Sequence, residues 1–379
     1  MKNSTPGRLL LPLALLFALA QTAAGQAPVD ARRALTSMPD SQAVLFINAR
    51  RLINEAMPKL MPAAEYQKML TQAQQFGVDP RGLEFAAVGV RLADPPPANN
   101  LPEFVVVIRG GFNADSLLAL GRVALGSQNL KSRQESYGSK TIEILDLQNM
   151  GAPPAGEAAD PNAKKPTPSP YPEIAVSALD ASTLVVGVPS FVRAAVDAAG
   201  GRGGLRSSMV DLAVKDPQSL WSLTAEMPPN LTDYLHKVGV PANQEVDQMI
   251  GWVKQLSLAQ GMDALNYSMS AAVLTDAPEH ASAFSGLVRM GLLAAQTAIS
   301  QEAAKQTPKH KDYAKTQAAL NAIKTFVNRT EGNTLILSAS VPQKAVADLI
   351  RQEMAKPAPA LTKPMTKTPR RRPGRTRRR

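Results

Sequence analysis

The sequence predicts an α+β fold with two related halves, in which antiparallel sheets are covered by helices. Three observations support this prediction. Strand-like apolar runs occur in adjacent pairs, such as 83–92 and 103–112, and helical segments separate the pairs. The same order of elements restarts after the glycine cluster 200–204. The strict strand–helix alternation of a doubly wound α/β fold is missing.

Composition limits the chemistry that this chain can carry. It has 379 residues, of which 44% are hydrophobic, so it can bury a sizeable core. It has no cysteine, which excludes disulfides, thiolate metal sites and cysteine nucleophiles. The formal net charge is +11, but the segment 356–379 holds ten positive residues and no negative one. The high isoelectric point therefore describes this tail, and the rest of the chain is close to neutral.

Residues 1–25 have the pattern of a secretory signal peptide. Lys2 and Arg8 precede an unbroken apolar run from Leu9 to Ala20, and small residues follow it. Twelve apolar residues are too few to span a bilayer core of about 30 Å, although an uncleaved membrane anchor is the alternative. We expect cleavage between Ala20 and Gln26. The mature protein is then exported, to the periplasm or outside the cell.

The first α+β half is predicted over 31–200. A strand runs into a helix at 42–52, and Pro58 is expected to end or kink that helix. Asn113 is placed to cap a helix, and Gly138-Ser139 is placed to turn a hairpin within 132–145. Further helices are predicted over 65–76 and 190–199, and a further strand pair over 173–188.

A proline-rich segment interrupts this half. Residues 151–172 contain seven prolines together with Ala, Gly, Lys and Ser. Proline cannot donate the hydrogen bonds of a strand ladder, so we expect a disordered surface insertion between two strands. A tolerated insertion and a recognition loop are both consistent with this composition.

The second half is predicted over 216–355, after a linker over 201–215. It repeats the first in the order strand, two helices, strand pair, helix, strand pair and final helix. The best internal match aligns "DASTLVVGVPSFVRAAVDAA" with "EGNTLILSASVPQKAVADLI". Thr183 then meets Thr334, and Asp197 meets Asp348. The order of elements predicts an internal duplication.

No catalytic, cofactor-binding or metal-binding residue is predicted. The chain has three histidines, His236, His280 and His310, and none has a second histidine at metal-ligand spacing. We interpret them as surface or capping residues. The glycine cluster 200–204 follows a helix and lacks the Lys-Ser/Thr of a phosphate-binding loop. No serine-hydrolase motif stands in a supporting context, although the members of a triad are dispersed in sequence.

The opening segment "MPDSQAVLFINARRL" at Met38–Leu52 resembles a loose group of uncharacterised exported bacterial proteins. Members of this group share a signal peptide, a strand led by proline, and duplicated α+β units. The resemblance covers residues 38–354. It implies an exported, duplicated α+β protein and carries no catalytic residue or ligand to this chain.

The basic tail 356–379 is predicted to be disordered. It has five prolines, no aromatic residue and no acidic residue, so it cannot bury enough apolar surface to fold alone. We interpret its arginines as a polyanion-binding segment. The candidate binding residues are Arg370, Arg371, Arg372, Arg375, Arg377, Arg378 and Arg379.

Because the chain is expected to be exported, the polyanions available to this tail are those outside the cytoplasm. The expected partners are anionic lipid, lipopolysaccharide or acidic polysaccharide, since each basic residue near an anionic membrane contributes on the order of 1 kcal/mol. Nucleic acid is not expected, because the tail has no aromatic residue for base stacking and the signal peptide removes the chain from the cytoplasm. The alternative is a solvated tail without a dedicated partner.

The sequence therefore favours an exported non-catalytic protein, tethered to envelope polyanions by its tail. Two alternatives stay open: an exported hydrolase with a dispersed active site, and a nucleic-acid binder if the signal peptide is misread. A pocket between the two halves, with converging polar groups of shifted pKa, would favour the hydrolase.

Overall fold

Twelve strands form a single antiparallel sheet, which confirms the α+β class. The computed structural model describes residues 32, 35, 37–75, 79–92, 101–127, 132–147, 169–216, 218–237, 239–307, 310 and 313–354. The predicted signal peptide, most of the predicted proline-rich insertion and the basic tail lie outside the described residues.

The strand order is β11-β12-β10-β9-β8-β1-β2-β3-β7-β6-β5-β4. The strands are β1 (Ala43–Ile47), β2 (Leu83–Arg91), β3 (Glu103–Gly110), β4 (Ser132–Tyr137), β5 (Lys140–Asp146), β6 (Glu173–Asp180), β7 (Thr183–Gly187), β8 (Ser219–Glu226), β9 (Val253–Met262), β10 (Asn266–Thr275), β11 (Val327–Glu331) and β12 (Thr334–Pro342).

The two predicted halves share this sheet instead of forming separate ones. β1 pairs with β2 on one side and with β8 on the other, and Leu45 lies opposite both Val88 and Leu223. If the halves formed separate sheets, β1 and β8 would each be an edge strand with unpaired backbone N–H and C=O groups. Pairing β1 with β8 satisfies both edges at once.

The helices connect and cover these strands. They are α1 (Ala49–Arg51), α2 (Met57–Leu60), α3 (Ala63–Gln74), α4 (Ala114–Ser127), α5 (Pro189–Ala199), α6 (Ser207–Ala213), α7 (Leu231–Lys237), α8 (Gln244–Trp252), α9 (Pro278–Lys305), α10 (Tyr313–Lys324) and α11 (Gln343–Met354). A π-helical turn, Leu52–Ala56, joins α1 to α2, and a 3₁₀ turn, Pro80–Gly82, precedes β2.

Pro58 does not end the first helix. It lies in the first turn of α2, directly after the π-helical turn, and the helix continues to Leu60. A proline is tolerated at this position because a first-turn N–H has no intrahelical acceptor. The wider π-helical turn changes the hydrogen-bond register just before the proline.

One face of the sheet, here called the α5 face, carries the largest apolar cluster. Val44 and Phe46 of β1 point to it and pack with Ile144 of β5, Phe191 of α5 and Met209 of α6. The predicted linker over 201–215 thus contains a helix, α6, whose Met209 is fully buried. This segment is part of the folded core.

The opposite face, here called the α9 face, is covered by helices from both halves. Tyr66 and Leu70 of α3 pack with Val106 and Ile108 of β3 in the first half. In the second half, α9 contacts β10, β11 and β12. The hydroxyl of Ser285 on α9 donates a hydrogen bond to the side-chain carbonyl of Asn328 on β11 at 2.8 Å, and the Asn328 amide donates to the Ser285 backbone carbonyl at 2.9 Å.

Strand order within the halves follows the predicted repeat. From the centre outward, β1-β2-β3-β7-β6 corresponds to β8-β9-β10-β12-β11, and the β4–β5 hairpin has no counterpart among the described strands of the second half. Thr183 and Thr334, which the sequence aligned, open the corresponding strands β7 and β12. The helices that follow differ: α5 packs on the α5 face, while Val346 of α11 packs near Tyr267 on the other.

Candidate functional site

The arginines of the folded part are almost all neutralised by neighbouring carboxylates. Among the described residues, every arginine except Arg289 forms an ion pair with Asp or Glu. The paired arginines are Arg32, Arg50, Arg51, Arg81, Arg91, Arg109, Arg122, Arg133, Arg193, Arg202, Arg206, Arg329 and Arg351. The predicted polyanion-binding arginines, Arg370 to Arg379, lie outside the described residues.

Several of these pairs have bidentate geometry. Arg193 of α5 donates to both carboxylate oxygens of Glu135 at 2.6 Å, which lowers the pKa of Glu135. Arg109 instead bridges two carboxylates, donating from Nε to Glu84 at 3.2 Å and from Nη1 to Asp180 at 3.2 Å. Guanidinium groups engaged in this way have fewer free donors for an external anion.

A cleft of about 360 Å³ opens between α4 and the α9 face of β4, β5 and β6. It lies within the first half and not between the two halves. Its lining is rich in charged and polar side chains. The lining residues are Asp115, Leu118, Arg122, Gln134, Ser139, Lys140, Thr141, Glu143, Ala178, Asp180 and Ala181.

Glu143 is the most buried charged group of this cleft, with 8% of its surface exposed. It lies on β5 opposite Val176 of β6, and the next residue across the sheet, Val186 of β7, is also apolar. Its carboxylate accepts hydrogen bonds from the Ser132 hydroxyl at 2.7 Å and from the Gln134 amide at 3.1 Å. Arg122 lies 3.8 Å away, so the buried charge is compensated.

The two aspartates of the cleft, Asp115 and Asp180, differ in their hydrogen-bond partners. Burial raises the pKa of Asp180, but hydrogen bonds from Ser182 and Thr183 together with Arg109 outweigh it, so this pKa lies below its ordinary value. The side chains of Asp115 and Lys140 have no hydrogen-bond or ion-pair partner among the described residues. The cleft thus presents one carboxylate and one ammonium group without a described partner, and its lining contains no histidine to act as a base near pH 7.

Two histidines form pairs with aspartates. His236 Nε2 lies 3.1 Å from Asp247 Oδ1, and His280 Nδ1 lies 2.6 Å from Asp276 Oδ1. The His280 hydrogen bond lowers the pKa of Asp276, and the ring stacks on Trp252 at 4.0 Å between centroids. Within the described part of the chain, no hydroxyl is hydrogen-bonded to the other nitrogen of His280.

Among the described residues, neither pair has the hydroxyl nucleophile that a hydrolytic triad requires. His280 lies in the first turn of α9, and its stacking on Trp252 joins two segments that the sequence alone did not bring together. His310 follows α9, where its backbone N–H donates to the Thr307 carbonyl. Across the described ranges, no group of three His, Cys, Asp or Glu residues is arranged to hold a metal ion.

One surface feature was missed from the sequence. Leu287, Met290 and Leu293 of α9 are exposed, although each is a large apolar side chain. Their spacing of three residues is visible in the sequence, but the sequence does not show which side of the helix the fold leaves uncovered. Of the helices that the structure describes, none has the length and apolar character needed to cross a bilayer.

Comparisons with known proteins give a distant structural likeness only. No family model and no curated protein matches the chain. Crystal form III of TP0453 is 9% identical with a TM-score of 0.39, and the match covers 87% of this chain and 100% of that one. Crystal form IV is 11% identical with a TM-score of 0.39, covering 85% and 99%, and crystal form I is 8% identical with 0.37, covering 87% and 98%. At these values the likeness says nothing about what this chain binds.

Proposed function

We propose that this is an exported, non-catalytic protein that the basic tail 356–379 tethers to polyanions of the cell envelope. The tail carries ten of the positive residues and no acidic one. The composition of the tail predicts an extended chain, in which like-charged side chains are available to an anionic surface. Lipid head groups, lipopolysaccharide and acidic polysaccharide all offer that chemistry.

The pairing of the folded arginines is the observation that carries this proposal. All described arginines but Arg289 are paired with carboxylates, so the described surface adds little long-range attraction for an anion. The arginines of the tail have no acidic neighbour within their segment. Polyanion binding should therefore depend on the tail and be mainly electrostatic.

The non-catalytic part of the proposal is supported by the two His–Asp pairs and by the cleft. Neither pair has a hydroxyl nucleophile hydrogen-bonded to it among the described residues. The most buried carboxylate of the cleft, Glu143, is held by two hydrogen bonds and Arg122. Such groups suit charge compensation better than proton transfer.

The test is a titration of heparin with the mature full-length protein at low and high salt. One variant replaces the six arginines Arg371, Arg372, Arg375, Arg377, Arg378 and Arg379 by Gln. We expect it to lose most of the binding and to keep the melting temperature, since the replaced side chains are predicted to make no packing contacts. Binding by the parent should fall steeply with salt, because exposed charges are screened beyond about 8 Å at physiological ionic strength.

A matched control variant changes Lys59→Gln and Lys68→Gln. Both lysines are exposed on helices of the folded part. Because they lie outside the tail, the control should bind heparin as the parent does. Equal binding by the parent and the tail variant would place the polyanion site on the folded part and contradict the proposal.

A further inference from the structure

Helix α9 has one face packed on the protein and another that nothing described covers. Its 28 residues extend over about 42 Å at 1.5 Å per residue. Ala281 and Ser285 are buried against the sheet, and further along the same side α9 packs against α10. The opposite side carries Leu287, Met290 and Leu293, with exposed fractions of 46%, 62% and 59%.

This exposed face is apolar and almost free of charge. Leu287 and Met290 lie three residues apart, and Ala283 and Ala294 fall on the same side at helical spacing. Arg289 is the only charged residue between 280 and 301. A stripe of large apolar side chains on a solvent-facing helix costs free energy in water and typically marks an interaction surface.

Arg289 itself distinguishes this helix from the rest of the fold. It is exposed and has no ion-pair partner among the described residues, unlike every other described arginine. On the helix it lies beside Leu293 at the border of the apolar stripe. A long cationic side chain at such a border can extend its guanidinium toward an anion while its aliphatic part lies along apolar surface.

We infer that the apolar stripe of α9 docks on the surface of an anionic lipid bilayer, with Leu287, Met290 and Leu293 entering the interface. This inference rests on the proposed function, because it selects lipid among the polyanions that the tail can bind. An amphipathic helix lying in the plane of the interface buries its apolar face and places basic side chains at the head groups. Arg289 supplies such a side chain.

The position of the tail supports lipid as the occupant. The tail follows α11, which packs on α10, and α10 packs on α9. The tail is predicted to be disordered, and a disordered chain of 24 residues has a root-mean-square span of about 25–30 Å. Its arginines can therefore reach the same surface that the stripe of α9 contacts. One weak electrostatic tether and one weak apolar contact together give stable attachment, where either alone is marginal.

The experiment measures binding to sedimented vesicles of phosphatidylcholine containing phosphatidylglycerol, at low and high salt. The stripe variant changes Leu287→Gln, Met290→Gln and Leu293→Gln, because glutamine keeps helix propensity. We expect its vesicle partitioning to fall by about tenfold or more at high salt, where the apolar contribution dominates. Its heparin binding should equal that of the parent, since heparin has no apolar interior.

The control variant changes Leu120→Gln and Val123→Gln, two exposed apolar residues of α4. It should bind vesicles as the parent does, and circular dichroism should show that both variants are folded. Equal vesicle partitioning by the stripe variant and the parent at both salt concentrations would overturn the inference. Loss of heparin binding in the tail variant alone would still support the proposed function, so the two failures are distinguishable.

Insertion can also be observed directly, because the chain has no cysteine. Met290→Cys, labelled with an environment-sensitive fluorophore, should show a blue shift when anionic vesicles are added. Val123→Cys carrying the same label should not. A blue shift on raising protein concentration without vesicles, together with a doubled mass in solution, would show that the stripe binds a second copy of the chain. That outcome would overturn the inference.

Discussion

Two neighbouring hydroxyls of β8 show how one hydrogen bond decides the effect of a buried polar side chain. Ser222 and Thr224 both lie on the α5 face and are buried. The Ser222 hydroxyl donates to the carbonyl of Ala213 in α6. The Thr224 hydroxyl has no partner in the described structure. A buried hydroxyl without a partner loses its hydration and gains nothing in return.

Thr224→Val should therefore stabilise the protein. Valine has nearly the same shape as threonine, and the change removes only the unpaired hydroxyl. We expect the free energy of unfolding to rise by on the order of 1 kcal/mol. Urea denaturation, followed by circular dichroism, measures this change as a higher midpoint at unchanged slope.

Ser222→Ala is the matched control on the same strand and face. It removes a satisfied hydroxyl and leaves the Ala213 carbonyl without that donor, so it should lower the free energy of unfolding by about 1 kcal/mol. A destabilising effect of Thr224→Val would show that its hydroxyl has a partner.

At the level of single residues, the sequence predicted local roles such as helix caps, but not which side chains contact one another. The cap Asn113 was correct, and its side chain accepts a hydrogen bond from the Ser116 N–H at 2.8 Å. The pairing of Arg109 with Asp180, or of His280 with Trp252, joins segments whose approach depends on the whole sheet. Partners of this kind are set by register, which no local pattern fixes.

Among the elements, the hairpins were predicted well because their turns have a local chemical signature. Gly138 turns β4 into β5 with φ of 58°, and Gly332 turns β11 into β12 with φ of 57°. Backbone in this left-handed region favours glycine, since a Cβ crowds the neighbouring carbonyl. The helix α6 was missed, because its seven residues follow a glycine cluster that resembles a linker.

Gly332→Ala should destabilise the protein through backbone strain alone. No heavy atom lies within 4 Å of the position that the new Cβ would take, so a steric clash with other residues is not involved. We expect a loss of about 1 kcal/mol in the free energy of unfolding, as for an L-residue forced into the left-handed region. Chemical denaturation measures it.

Gly121→Ala provides a control of opposite sign. Gly121 lies within α4, and its Cβ position is equally open. Alanine in a helix interior is favoured over glycine by up to about 1 kcal/mol, so this variant should be as stable as the parent or more stable. Equal destabilisation by both changes would mean that strain at Gly332 is not the cause.

For the whole molecule, the sequence predicted the class and the repeat but not the joining of the halves. Paired strands and helical periods are local, so they could be read from the chain. The contact between β1 and β8 brings together residues about 180 positions apart, such as Leu45 and Leu223. Arg51 adds to this joint, because its guanidinium donates to the carbonyls of Gln218 and Met262.

A continuous sheet predicts that the two halves unfold together. Both tryptophans lie in the second half, but Trp221 faces Ile47 of β1, so their fluorescence reports on the second half and on its joint with the first. Ile144 lies in the first half, on β5, and is fully buried. Ile144→Ala should cost about 2–5 kcal/mol through lost burial and the cavity that remains.

If unfolding is cooperative, Ile144→Ala lowers the urea midpoint of tryptophan fluorescence as much as that of circular dichroism. Leu335→Ala, a buried change on β12, should shift both signals in the same way. A fluorescence midpoint that stays at the parent value in Ile144→Ala would show that the second half unfolds by itself. In that case the hydrogen bonds between β1 and β8 would be too weak to couple the halves, despite the unbroken sheet.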